Sequence, residues 1–406
     1  MLRKLGTAVF ALFAALFAVG YYAVVTAPAQ AAPPPAAAER AQDAPDDFYL
    51  PPSPLPEGKP GDVIRSRPST VGWPSAKAKA WQVMYRSTDA LGKPAAMTGT
   101  VLLPEGADPA KTQVVAFGPG TQGPAFKCAP SEMIRTGSFY EQSGLNDLLN
   151  AGYAVAIPDY EGYRPEPSTT YVAGRSMGAA MIDVTRAALR LPDAGLSAQA
   201  EVVFRGYSQG GGAAAWAGEL HPQYAPELKL VGIAAGGIPA DLVQVALGLN
   251  GKEGFGVLAY ALVALDNAYP ELNLEDYLNE AGRTAFAEME RSQCLDRLLI
   301  DYAGKTVDDY MERSPLVDEA WVKRYGENKL GAQPPKVPMF QYHATKDQLV
   351  QFGQAKKLRD TYCEAGVQLT WKEYERDHIG VVYHGNADVL AFVKDRMNGA
   401  AAGGNC

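Results

Sequence analysis

The chain is poor in the residues that bind metals and nucleic acids. Its four histidines (His221, His343, His378, His384) form no i, i+4 pair, and its four cysteines (Cys128, Cys294, Cys363, Cys406) form no Cys-x-x-Cys. No metal-ligand cluster can be read from such spacing. There are 37 Lys and Arg against 45 Asp and Glu, a net charge of −8. That balance excludes the basic stripe of a nucleic-acid binder. No Walker loop is present, and no nucleotide cofactor is expected, nor any other.

Of long hydrophobic runs there is one, residues 8–25, with Arg3 and Lys4 before it and Ala29-Gln30-Ala31 after it. This is the basic, apolar, small-residue order of a secretory signal peptide, residues 1–31, cut after Ala31. An uncleaved membrane anchor is the alternative. Cleavage removes Arg3 and Lys4 and no carboxylate, so −8 becomes −10. Four cysteines suit an exported protein with two disulfides, and three pairings are open.

Residues 32–60 are rich in Pro and Ala and read as a flexible leader that nucleates no core. Segments 80–86 and 97–103 alternate like an antiparallel pair. The runs 114–117, 153–157, 202–204 and 230–235 are apolar throughout and alternate with helical stripes, the clearest at 176–191. Such a rhythm predicts a mostly parallel central sheet, buried on both faces and flanked by helices. From 237 to 335 it stops. Helical patterns at 241–249, 255–265, 274–290, 295–300 and 314–325 predict an inserted helical cap or lid. The rhythm returns at 337–343, with a helix at 350–364, a strand at 367–374 and a last helix at 386–397. The core is therefore 61–236 plus 336–397, and the tail 398–406 reads as loose apart from Cys406.

One stretch carries chemistry. Val202-Val203-Phe204-Arg205 leads into Gly206-Tyr207-Ser208-Gln209-Gly210, and a helical pattern follows. Strand, tight turn and helix make the context of a nucleophile elbow, with Ser208 at its apex. A serine hydroxyl needs a base, itself oriented by a third group. In the α/β-hydrolase order both come later, the acid first. Asp347 lies in the loop after the strand at 337–343, with Asp360 and Glu375 as fallbacks. An aspartate there ordinarily caps the next helix; the chain order favours the catalytic role. His378 follows the last strand in a short loop and is the expected base, with His384 as competitor. His343 reads as a structural core histidine and His221 as a helix-end residue. Oxyanion donors are expected from the backbone N–H of Gln209 and from Thr121 or Gln122 in the glycine-rich loop 118–123. The apolar segment 257–265 either lines an acyl site or packs the cap, and packing is the expectation.

These residues resemble the secretory lipase family, the lipase A type of extracellular α/β-hydrolase. The resemblance lies in Asp47-Phe48-Tyr49 and Gly61-Asp62-Val63-Ile64-Arg65, in Gly120-Thr121-Gln122-Gly123 running to Cys128-Ala129-Pro130-Ser131, in Tyr207-Ser208-Gln209-Gly210-Gly211, and in Asp377-His378 with 385–393. It implies a Ser208–Asp347–His378 triad, a helical lid, fatty-acid esters as substrates, and the pairs Cys128–Cys294 and Cys363–Cys406. It departs from the family's His-Gly-x-x-Asp acid motif, since Ala344 follows His343. The expected protein is a secreted carboxylic-ester hydrolase, a monomer that touches lipid interfaces transiently and binds no nucleic acid. The alternatives are an acyltransferase acting on cell-envelope alcohols, or a catalytically silent envelope-binding protein of the same fold.

Overall fold

A computed structural model describes residues Asp46–Cys406; the signal segment 1–31 and the leader up to residue 45 lie outside the described residues. The frame is a nine-stranded sheet: β1 (Val63–Ser69), β2 (Ala78–Thr88), β3 (Pro94–Pro104), β4 (Val114–Gly118), β5 (Ala154–Tyr160), β6 (Glu201–Tyr207), β7 (Lys229–Gly236), β8 (Met339–Ala344) and β9 (Leu369–Tyr374). Their spatial order is β1-β2-β3-β5-β4-β6-β7-β8-β9. The first three strands pair antiparallel, as does β3 with β5, and all pairings from β5 to β9 are parallel.

The uninterrupted apolar runs are explained by two covered faces. Val114 and Ala116 of β4 point into one core, beneath the helices Gly174–Arg190 and Gln209–Tyr224, while Val115 and Phe117 point into the other, beneath Gln142–Asn150 and Asn386–Met397. From β4 the chain turns back to β5 and then crosses over to β6, so β4 and β6 become neighbours. Strand order reverses there, and open α/β sheets bind ligands in the crevice this leaves at the carboxyl ends of the strands.

Between β7 and β8 the chain is helical, with Leu242–Leu249, Phe255–Ala268, Glu280–Ser292, Leu295–Asp301, Val307–Tyr310 and Glu319–Glu327. These helices have an apolar core of their own that includes Phe255, Leu262, Met289, Leu298 and Trp321. Two helices expected to be continuous are broken. Asn279 accepts the Gly282 N–H at 2.9 Å and starts a new helix after the short turn Leu274–Tyr277. Asp318 does the same for Glu319–Glu327. In both cases a short polar side chain competes for backbone donors and wins.

Both ends of the described chain differ from expectation. The leader's last part is docked rather than flexible, because two adjacent aromatics give it something to bury. Tyr49 is 1% exposed, its hydroxyl 2.8 Å from Ser131 Oγ and 2.7 Å from Gln82 Nε2. The Arg67 guanidinium lies 4.3 Å over the Phe48 ring and pairs with Asp46. The tail is docked as well. Asn405 donates its N–H to Leu369 O, accepts from Trp371 N at 2.7 Å and donates to Trp371 O at 2.8 Å. It thereby covers the open edge of β9, and Cys406 is bonded to Cys363 beside it.

Candidate active site

Ser208 stands between the end of β6 and the helix Gln209–Tyr224 with φ 58° and ψ −122°. This is a sparsely populated backbone region for a residue with a side chain, and it persists only where the surroundings enforce it. Two glycines make the turn sterically possible. A Cβ on Gly206 would lie 2.1 Å from Gly210 O, and one on Gly210 would lie 1.9 Å from Gly118 O. Strand, helix and the loop after β4 thus meet backbone to backbone, with Ser208 raised above them. Gln209 is the first residue of its helix, so its N–H has no carbonyl one turn earlier to bond.

The structure brings Ser208, His378 and Asp347 into one chain of hydrogen-bonding atoms. His378 Nε2 is 2.9 Å from Ser208 Oγ, and His378 Nδ1 is 2.7 Å from Asp347 Oδ2. The histidine starts the helix His378–His384, capped by Asp377, where a loop was expected. Its backbone is held at both ends, by Gln348 Oε1 on the N–H and by the Tyr207 hydroxyl on the carbonyl. Asp347 uses its other oxygen, Oδ1, to accept the Leu349 and Val350 N–H groups. The next helix starts only at Phe352, with Gln351 at its N-cap, so Asp347 caps no helix: Oδ1 braces its own turn while Oδ2 faces His378. Burial pushes the Asp347 carboxyl up, but the His378 charge and hydrogen bonds from His343 and His378 outweigh it and hold the group well below the usual carboxylate range.

The part played by His343 was not visible in the sequence. It is fully buried, with Nε2 2.8 Å from Val350 O and 3.3 Å from Asp347 Oδ2, so the acid sits between two imidazoles. The i, i+4 spacing to Asp347 is the one signal of that contact the sequence carries. The other candidates lie apart. Asp360 pairs with Lys356 and Arg359 on the helix Phe352–Glu364, and Glu375 pairs with Lys346 at the surface. His384 is exposed and donates to Gly380 O, and His221 is bonded to Leu228 O.

Thr121 and Gln122 separate. Thr121 faces a pocket shared with Ser208 and His378, its hydroxyl bonded to Tyr171. Gln122 turns toward the cap, its carbonyl accepting the Leu295 N–H at 2.8 Å. Ala125 N donates to Gln293 O, and the Cys128–Cys294 disulfide fastens the same two segments together. The rest of the pocket is mostly aliphatic and comes from the cap, including Leu242, Leu249, Leu258 and Leu262. The helix Phe255–Ala268, expected to pack the cap, has two working sides. Val257, Leu258, Ala261, Leu262 and Leu265 line the pocket, while Phe255, Ala259, Tyr260 and Val263 are buried within the cap.

An elbow serine, an aspartate and a histidine in that chain order, at the switch point of this sheet, define a serine hydrolase of the α/β-hydrolase fold. Residues 130–405 match the model of the secretory lipase family. The chain is 32% identical to Lipase 6 of Candida albicans, over 79% of this chain and 74% of that protein. It is 29% identical to a secreted triacylglycerol lipase, LIP1 of Malassezia furfur, over 89% and 77%. Its fold is similar to that of Candida antarctica lipase A, with TM-score 0.79 and 26% identity over 88% of this chain and 86% of that one. The chain belongs to the secretory lipase family.

Proposed function

We propose that this chain is a secreted lipase that hydrolyses fatty-acid esters through an acyl-enzyme on Ser208. The observation that carries the reading is the aliphatic pocket formed under the cap against Ser208 and His378. It suits an apolar acyl chain laid out from the reacting carbonyl. Ile379 both lines that pocket and is 38% exposed, which supports contact between its mouth and a lipid surface. In this reading 61–236 and 336–397 form the catalytic core, and 237–335 is the cap. The relatives' names and the order of residues 1–31 support export with cleavage after Ala31.

Each step uses groups already described. Ser208 Oγ attacks the ester carbonyl while His378 Nε2 takes its proton, and ionised Asp347 stabilises the imidazolium. The N–H groups of Gln209 and Thr121 take the charge on the tetrahedral oxygen. The alcohol leaves with the proton from His378. Water then adds to the acyl-enzyme by the same route in reverse and releases the acid.

Ser208→Ala tests this directly. Hydrolysis of p-nitrophenyl octanoate is expected to fall by at least ~10³-fold, with the circular dichroism spectrum unchanged. A folded variant with wild-type turnover refutes the assignment.

A further inference from the structure

Glu141 is an acidic residue the hydrolytic chemistry does not use, yet it lies under the loop that does. It is 3% exposed and precedes the helix Gln142–Asn150 at the N-cap position, but its side chain caps nothing. Instead Glu141 Oε2 accepts the Gly120 N–H at 2.6 Å. Gly120 precedes Thr121, which faces Ser208 across the pocket. A Cβ at Gly120 would lie 2.1 Å from the Tyr140 hydroxyl oxygen, so the loop is pressed onto the Tyr140–Glu141 pair.

The neighbours of Glu141 account for a carboxylate in such a place. Arg205 of β6 is 2% exposed, lies 3.7 Å over the Phe117 ring and acts on Glu141 electrostatically. Its Nε and Nη1 have no hydrogen-bond partner among the described residues. Tyr140, Tyr160, Tyr342 and Tyr383 also feel the Glu141 charge. Burial pushes the carboxyl up to about 7, against the pull of Arg205 and the Gly120 N–H. A buried acid costs free energy unless it is paired, and here it is paired with the one backbone donor of this loop that precedes Thr121.

We propose that Glu141 is a positioning residue of the acyl-transfer site: its acceptor on the Gly120 N–H fixes the loop so that the Thr121 N–H points at the developing oxyanion. Two tyrosines hold carbonyls of the same loop. Tyr160 donates to Pro119 O at 2.9 Å, and Tyr163 donates to Gly123 O at 2.7 Å. Pro119 O and the Gly120 N–H belong to one peptide unit, so Tyr160 and Glu141 pin that plane from its two ends, and Gln122 Nε2, 3.2 Å from Gly120 O, holds the next plane, which carries the Thr121 N–H. Preorganised donors stabilise a transition state because no reorganisation is needed when charge appears.

The proposal rests on the hydrolase reading, and its test separates the two. Wild-type protein is first labelled with a fluorophosphonate; failure of Ser208 to label overturns the hydrolase reading itself. With labelling secured, Glu141→Gln and Glu141→Leu are compared for p-nitrophenyl octanoate turnover and for affinity for an alkyl trifluoromethyl ketone, whose hemiketal carries the oxyanion. Glutamine keeps an acceptor at the same place, so its kcat is expected within about threefold of wild type. Leucine removes the acceptor and is expected to lower kcat by ~10- to 100-fold, below the loss for a deleted oxyanion donor. It should weaken the ketone equally and leave KM nearly unchanged. Should Glu141→Leu fail to fold around the unpaired Arg205, the double variant Glu141→Leu/Arg205→Met removes both charges and carries the same expectation. A folded acceptor-free variant with wild-type kcat and ketone affinity overturns the proposal, as does a glutamine variant impaired as severely as leucine.

Discussion

If acyl chains lie along the helix Phe255–Ala268, filling that space must change which esters are cleaved. Ala261 is the residue to enlarge, since it lines the pocket and is only partly buried. Each methylene taken from water into an aliphatic pocket contributes ~0.8 kcal/mol, about fourfold in a rate constant. Four methylenes, the step from butanoate to octanoate, then give ~3 kcal/mol, a wild-type preference of about two orders of magnitude in kcat/KM. Ala261→Phe puts a phenyl ring where those methylenes would lie. The octanoate-to-butanoate ratio is expected to fall to about tenfold or less, with butanoate turnover nearly intact because Ser208, His378 and Asp347 are untouched. The assay is steady-state hydrolysis of the two p-nitrophenyl esters below their critical micelle concentrations. An Ala261→Phe enzyme with an unchanged ratio would refute the placement of the acyl chain beneath the cap.

Three further outcomes follow from contacts already described. His343→Phe takes a donor from beside Asp347 and is expected to lower kcat/KM about tenfold, as supporting-residue changes commonly do; His343→Asn keeps a donor and should recover most of it, and an undiminished Phe variant contradicts the role. Removing Cys363–Cys406, which closes 43 residues, should lower the melting temperature and leave kcat unchanged. Removing Cys128–Cys294, which spans 166 residues and is worth up to about 5 kcal/mol in the chain-entropy account, should lower both; equal kcat losses for the two bridges would count against the link to the Thr121 loop. Stability should also rise on mild acidification. Burial pushes Asp159 and Asp183 up to about 6 and Glu141 up to about 7, so the folded chain keeps protons that the unfolded chain releases from about pH 4 upward, and stability falls as pH rises through that window. Asp347 has the opposite sign: its depressed value contributes stability that is lost in strong acid. Calorimetry should find a higher melting temperature near pH 5 than at pH 8, and Asp159→Asn should flatten the difference.

The sheet was legible because each central strand is a short apolar run bounded by Gly, Pro or Asp, a pattern that only double-sided burial explains. Ser208 was legible because its neighbours at 206 and 210 must be glycine for three backbones to meet. What stayed hidden is tertiary. The docking of Phe48 and Tyr49 depends on Arg67, Gln82 and Ser131, partners far away in sequence, and the prolines around them read locally as disorder. The tail was misread for the same reason, since a Gly/Ala-rich end conceals one asparagine that binds an open strand edge. Breaks at Asn279 and Asp318 were missed because helical periodicity runs through them while the caps do not announce themselves. Thr121 and Gln122 are adjacent in the loop, and only the fold tells which one turns toward the cap.

The short pairing of 122–125 with 293–295 limits how the enzyme can be re-engineered. Exchanging caps between lipases to alter selectivity would ordinarily cut where the sheet stops and resumes. Here such a chimera would discard the strip that braces the Thr121 loop and is expected to lose turnover for reasons unrelated to the new pocket. Donor segments have to be spliced on either side of Gln293-Cys294-Leu295, so that the graft inherits its anchor from the host.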